Sequence, residues 1–376
     1  MKNIMRVAAL SGAVALALAA CGSAPDDEAT SGSSSAPSTS TSAAASNSDF
    51  KGCIVSDSGG FNDKSFNESG LNGLNEAKKT LGIQTAQAES TTDDAYAPNL
   101  ANMVSQSCNI IVPVGFKLST ATGDSAKANP KVDYAIVDAT ATDADGNPIT
   151  LDNVKPLEFD TAQAAYLAGY VAAGMTKTGT VGTYGGLKIS TVTVFMDGFA
   201  DGIAKYNEVK GKSVKLLGWD KAKQDGLFSA DPKTAFAPGS GKANADSLVA
   251  QGADIILPVA GGAALDALTT AKANPGTLVI WVDSDGALVN PDSSSIILTS
   301  VMKLIGAAVN SAVTDAAQGK FDASPYVGTL ENEGVGIAPF HDLDSKVPAD
   351  LKSEVDQLKA DIISGKIKVE SENSPK

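Results

Sequence analysis

The sequence predicts an α/β fold of two doubly wound parallel-sheet lobes joined by a hinge. Three observations predict it. Short apolar strands alternate with longer helix-patterned segments from residue 53 onward, which implies parallel sheets with helices on both faces. The pattern then restarts: Asn109-Ile-Ile-Val-Pro-Val-Gly115 is answered by Asp254-Ile-Ile-Leu-Pro-Val-Ala260. Each is followed by a helix ending at Asn129-Pro130 or Asn274-Pro275, then by a strand ending Val137-Asp138 or Val282-Asp283. Finally, the chain beyond residue 49 exceeds the usual size of one core, so two domains are the default.

The elements follow in order. Cys53-Ile54-Val55 is a buried strand, and a helix runs from about Ser65 to Leu81. Gln84 to Glu89 is a more polar strand, Tyr96 to Gln106 a helix, and Ile110 to Val114 a strand. The next helix stops before Pro130, which cannot continue it. Tyr134 to Val137 and Val154 to Phe159 are strands, and Thr161 to Met175 is a long Ala- and Gly-rich helix. The second round has strands at Thr180–Tyr184, Val214–Leu217, Ile255–Val259 and Leu278–Val282, with helices at Val192–Tyr206, Ala243–Gln251 and Ala264–Ala273. Lys303 is placed at the start of a later helix. Crossings between lobes are expected near Phe159, Asp283 and Tyr326. They assign residues 50–159 and 284–325 to the first lobe, and 160–283 and 326–376 to the second.

The first fifty residues have a different character. Lys2 and Arg6 precede an uncharged run, Val7 to Ala20, too short to span a hydrocarbon core as a helix. A basic start and a short apolar run read as a secretory signal over residues 1–20. The run ends Leu18-Ala19-Ala20-Cys21-Gly22, which resembles the lipobox of bacterial lipoproteins. That resemblance implies lipid on Cys21 and a place on the outer face of the cytoplasmic membrane. Residues 21–49 are rich in Ser, Ala, Thr, Pro and Gly; such a stretch buries too little apolar surface to order. As a flexible tether it spans roughly 30 Å.

Charge and cysteine usage narrow the partners. The formal net charge is −14, which argues against nucleic acid and leaves membrane attachment to the lipid. Cys53 and Cys108 each begin a strand-like run. If those strands are neighbours, the two cysteines lie side by side, and a Cys53–Cys108 bridge is expected outside the cytoplasm; two buried thiols are the alternative.

The stretch from Asp57 to Asn67 (Asp57-Ser58-Gly59-Gly60-Phe61-Asn62-Asp63-Lys64-Ser65-Phe66-Asn67) stands directly after the first strand. It is similar to the signature of the basic membrane protein family, the nucleoside-binding lipoproteins of ABC importers. Further matching blocks follow in family order: Gly185-Gly186 with Phe195 to Phe199, Gln251 to Gly262, Val282 to Asp285, Leu298 to Lys303, and Gly334 to Phe340. The resemblance implies a type I periplasmic-binding-protein-like fold, a purine nucleoside between the lobes, and a membrane permease as partner. It implies contacts from Asp57, Phe66, Asn67, Gly115, Phe116 and Gly261. It also implies stacking on the base by Phe66 and, from the second lobe, Phe228. Asp283 or Asp285, with Lys303, falls on the ribose; such groups suit hydroxyls that both donate and accept. Three places depart from the family pattern: no acid follows Gly115-Phe116 before Asp124, Lys188 and Ser190 follow Gly185-Gly186, and Gly286 follows Asp285. They leave the base open.

Catalysis finds little support. The single histidine, His341, would have to serve any Ser-His-Asp or Cys-His site, and nothing around it fits. No His/Cys cluster has metal-ligand spacing. Gly239-Ser240-Gly241-Lys242 lacks the spacing of a phosphate loop. The expectation is a monomeric solute receptor without cofactor or metal. An adhesion or sensory lipoprotein, a receptor for a sugar or other solute, and a carboxylate hydrolase are the alternatives.

Overall fold

The computed structural model describes residues 48–375. The expected signal segment, Cys21 and almost all of the expected tether lie outside the described residues.

In chain order the first half comprises β1 (Lys51–Val55), α1 (Phe66–Leu81), β2 (Gln84–Ala88), α2 (Tyr96–Ser105), β3 (Ile110–Pro113), α3 (Ser119–Ala128), β4 (Asp133–Val137) and β5 (Val154–Phe159). Then come α4 (Thr161–Met175), β6 (Thr180–Gly185), α5 (Ser190–Lys210), β7 (Lys215–Leu217) and the small ribbon of β8 (Trp219–Asp220) and β9 (Asp225–Gly226). The chain continues through α6 (Lys242–Ala250), β10 (Ile255–Val259), α7 (Leu265–Ala273), β11 (Leu278–Asp283), α8 (Gly286–Val289) and β12 (Ile297–Lys303). It closes with α9 (Ile305–Ala317), β13 (Tyr326–Gly328), β14 (Val335–Ile337) and α10 (Ala349–Ile363).

One sheet has the order β13-β5-β4-β3-β1-β2, the other β14-β12-β11-β10-β6-β7. The two orders are the same once β1 is matched to β6, so the sequence rhyme between β3 and β10 is a duplication of topology as well. The pairing is parallel within each sheet except between β12 and β14, which is antiparallel. Runs such as Ile54-Val55 and Ile255-Ile256-Leu257 are buried, as expected of central parallel strands covered on both faces. Cys53 pairs in register with Ile111, three residues past Cys108, and the two cysteines form a disulfide with Cα atoms 6.0 Å apart. Closing a loop of 55 residues stabilises the fold by about 4 kcal/mol in the chain-entropy account.

The Ala and Gly content of α4 has a packing cause. A Cβ on Gly169 would sit 2.2 Å from the Phe199 carbonyl oxygen of α5. On Gly198 or Gly202 it would meet the carbonyls of Ala162 or Tyr166, at 2.2 and 2.0 Å. The two helices cross with backbones almost touching, which only small residues permit.

The chain crosses between the sheets elsewhere than expected. β12 pairs with β11, so residues 284–303 belong with the second sheet rather than the first, and no crossing occurs at Asp283. The crossing comes after Lys303, which ends β12 instead of starting a helix; α9 then packs on α1 beside the first sheet, where Gly306 meets Gly73. β13 pairs with β5, so the last crossing lies between Gly328 and Val335, not before Tyr326. The run Ile297–Lys303 is buried at all but Met302, so it carries no alternation to distinguish strand from helix.

Candidate functional site

The carboxyl ends of β1, β3 and β4 face those of β10, β11 and β12 across a cleft, the place where open α/β sheets bind ligands. A cavity of about 60 Å³ lies there. Lobe 1 supplies Asp57, Phe66, Asn67, Gly115, Phe116 and Asp138; the second sheet and its loops supply Phe195, Phe236, Gly261, Asp283 and Lys303.

Lys303 is the electrostatic centre. Its side chain is 3% exposed. The ammonium donates to Asp138 from the opposite lobe and lies 3.7 Å from Oδ1 of Asp283 on its own. Asp283 also accepts a 2.6 Å hydrogen bond from Ser65 Oγ at the head of α1. Three rings surround the ammonium, with centroids at 5.0 Å (Phe66), 5.2 Å (Phe195) and 5.8 Å (Phe159), within range of cation–π attraction. Burial pushes the Asp138 carboxyl above its usual range, and Lys303 pulls against that shift. Such a cluster is costly to desolvate, and hydroxyl groups of a ligand would find both donors and acceptors in it.

A second network shapes the loop after β1. Asp63 accepts from the backbone N–H groups of Ser65, Asn67 and Glu68 and from Asn67 Nδ2, at 2.8 to 3.1 Å, so it caps the otherwise orphaned donors of α1. Burial nevertheless raises its pKa to about 6. Asn67 Nδ2 also donates to Asp57 Oδ1 at 2.9 Å, and its Oδ1 accepts from Asp57 N. Burial raises the Asp57 carboxyl, against the hydrogen bonds from Gly59 and Asn67. Its Oδ2 stands where a Cβ on Gly115 would come within 2.7 Å, and Gly115 has φ +112°. Glycine is therefore required there on both counts.

Of the residues singled out from sequence, Asp57, Phe66, Asn67, Gly115, Phe116, Gly261, Asp283 and Lys303 all line this cavity. Two do not. Phe228 packs behind it, edge-on to Trp219 with centroids 6.1 Å apart and against Gly185; the aromatic that reaches the cavity from that excursion is Phe236. Asp285 caps α8 by accepting from Ala287 N and holds His341 Nε2 at 2.7 Å, so it faces away. Sequence reasoning missed Asp138, although Val137-Asp138 already paralleled Val282-Asp283. It missed Phe236 for want of any signal, since the loop around it has no period. Among the described residues no group of His, Cys, Asp and Glu is arranged to hold a metal, and no helix is long and apolar enough to cross a membrane.

Comparison with known proteins shows the family. The family model for PnrA-like ABC transporter substrate-binding proteins (Bmp) matches residues 50–373. The chain belongs to that family. It is 32% identical to the ABC transporter nucleoside-binding protein BmpA of Lactococcus lactis, over 98% of this chain and 99% of that one. It is equally 32% identical to the CD4+ T-cell-stimulating antigen of Listeria monocytogenes, with 94% of each chain covered. Among solved structures it resembles an ABC transporter solute-binding protein of Aeropyrum pernix at TM-score 0.72 and 23% identity, covering 85% of this chain and 92% of that one. The fold is thus that of the type I solute-binding proteins, as expected from sequence. Membership in the Bmp family makes this an ABC-transporter solute-binding protein, with a small-molecule ligand and a permease as partner; the family is one of binding proteins rather than enzymes.

Proposed function

We propose that this Bmp-family protein is a lipid-anchored receptor that captures a nucleoside between its lobes and presents it to the permease. The observation that carries the reading is the buried Lys303 between Asp138 and Asp283, with aromatic rings against it. The ribose lies on this charged centre, where its hydroxyls meet two carboxylates and an ammonium. The base stacks between aromatic side chains, Phe66 from the first lobe and Phe236 from the second, while Asp57 Oδ2 and the backbone at Gly115 meet its edge. Phe116, 46% exposed, stands at the rim and is covered when ligand enters. The nucleoside-binding name of the Lactococcus relative supports the same ligand class. Lipid on Cys21 holds the protein on the outer face of the membrane as a monomer, and no turnover accompanies binding.

A thermal-shift screen of the purified protein against nucleosides, free bases and sugars tests this. A ligand at 100 times its dissociation constant stabilises by about 2.7 kcal/mol. The expected result is a shift with a purine nucleoside that Asp283→Asn abolishes. A shift with sugars alone would remove the nucleoside from the account. Mass spectrometry of the membrane-extracted protein tests the anchor: the expected chain begins at a diacylated Cys21, and an unmodified Cys21 would count against it.

A further inference from the structure

Beside the ligand cavity the cleft opens into a chamber of about 530 Å³. That is within the range of roughly 300–1,000 Å³ typical of small-molecule sites, whereas the first cavity measures about 60 Å³. The two share Phe116, Asp138 and Thr191, so a ligand held in one can extend into the other. The connection runs past Asp138, the carboxylate on Lys303, which is the end of the site assigned to ribose.

We propose that this chamber, walled by Phe116, Phe159, Glu158, Glu372 and the hydroxyls of Thr140 and Ser190, takes a sugar unit attached to the ribose side of the ligand. The proposal rests on the nucleoside reading and extends it. The lining joins aromatic rings to carboxylates and hydroxyls and contains no Lys, Arg or His. The exposed Phe116 ring can pack against the C–H face of a sugar, with the edge of the buried Phe159 behind it, and carboxylates accept the sugar's hydroxyl protons. The carboxylates of Glu158 and Glu372 have no side-chain hydrogen-bond or ion-pair partner among the described residues, so both can accept from a ligand. A phosphate would meet three carboxylates here and no cation of its own to pair with.

One wall is the C-terminal tail, and the fold anchors it. Asp197 is wholly buried and accepts from Ser371 Oγ at 2.6 Å and Asn373 Nδ2 at 3.0 Å, besides Trp219 Nε1 and Gln224 Nε2. Ser374 Oγ then donates to Asp160 at 2.8 Å, where the chain crosses from β5 to α4. These bonds give Glu372 a fixed place at the chamber.

The test is calorimetric titration of the whole protein with adenosine, with 2′-O-ribosyladenosine, with adenosine 2′-monophosphate and with free ribose. The expected result is that the ribosylated nucleoside binds at least tenfold tighter than adenosine and the monophosphate weaker than either. Glu158→Gln and Glu372→Gln should each reduce the ribosyl advantage at least threefold while leaving adenosine within twofold. If adenosine binds and the ribosylated form binds no tighter, the chamber proposal fails and the nucleoside reading stands. If no nucleoside binds but free ribose does, and Glu158→Gln removes it, the chamber stands as a sugar site and the nucleoside reading fails. Silence from all four compounds overturns both.

Discussion

Asp138 and Asp283 occupy the same place in two sheets of one strand order, and their carboxylates meet at one ammonium, that of Lys303. Asp138 directly follows β4 and Asp283 ends β11, the matching strands of the two lobes. Both have left-handed backbone, with φ 56° and 65°, a conformation uncommon outside glycine and most tolerable in Asn and Asp. The duplication has thus supplied two copies of one strand-end aspartate, and the cleft is assembled where they face each other.

Removing the cation strands both carboxylates in a buried site. Lys303→Met is expected to destabilise the fold by roughly 3–5 kcal/mol. Asp138→Asn should cost less, because the ammonium keeps Asp283 at 3.7 Å. Urea denaturation of the two variants reads the difference; equal stabilities would contradict a shared cation.

The two aromatics of the second lobe separate by role. Phe236→Ala is expected to weaken nucleoside binding about tenfold, near 1.4 kcal/mol, and, because its ring also packs over Gly186, to lower the melting temperature as well. Phe228→Ala should lower the melting temperature, because its ring fills the space over Gly185 and beside Trp219, and leave the dissociation constant within twofold. The reverse pattern would restore Phe228 to the site.

Asp63 gives a pH signature. Its carboxyl rises from 3.8 when unfolded to about 6 when folded. Between those values the folded chain binds more protons than the unfolded one, so stability falls as pH rises through that window. Lowering pH from 7 to 5 should therefore add about 1 kcal/mol from this group. Subtracting the Asp63→Asn stability curve from that of the parent isolates the effect, and parallel curves would show that Asp63 does not titrate there.

The α4–α5 crossing tolerates no added atom. Gly202→Ala, whose Cβ would lie 2.0 Å from the Tyr166 carbonyl oxygen, is expected to cost about 1–3 kcal/mol as an overpacked contact. Gly336→Ala, with nothing within 4 Å of its Cβ, should change stability little. Thermal melts of the pair compare them directly.

Much of this was legible in residues 53–283, where short apolar runs and Asn-Pro stops mark each unit. Asp57, Phe66 and Gly115 could be placed because they stand at strand ends or helix starts, which periodicity locates. The β12 strand was harder, since burial on both faces erases alternation, and with it went Lys303 as a strand end and the true crossing point. Phe236 was beyond reach because its loop is set by long-range packing on Gly186 and Gly261, which no local pattern records. Between the alternatives Asp283 and Asp285 the sequence could not choose, because an acid two residues before Ala287 is equally a helix cap.

The most direct test of the central claim is a calorimetric titration of the protein with purine and pyrimidine nucleosides, repeated on Phe236→Ala and Asp283→Asn. The account predicts saturable one-to-one binding of a nucleoside, weakened about tenfold by Phe236→Ala and lost in Asp283→Asn. Unchanged nucleoside affinity in both variants, or binding of a sugar with no nucleoside response, would contradict it.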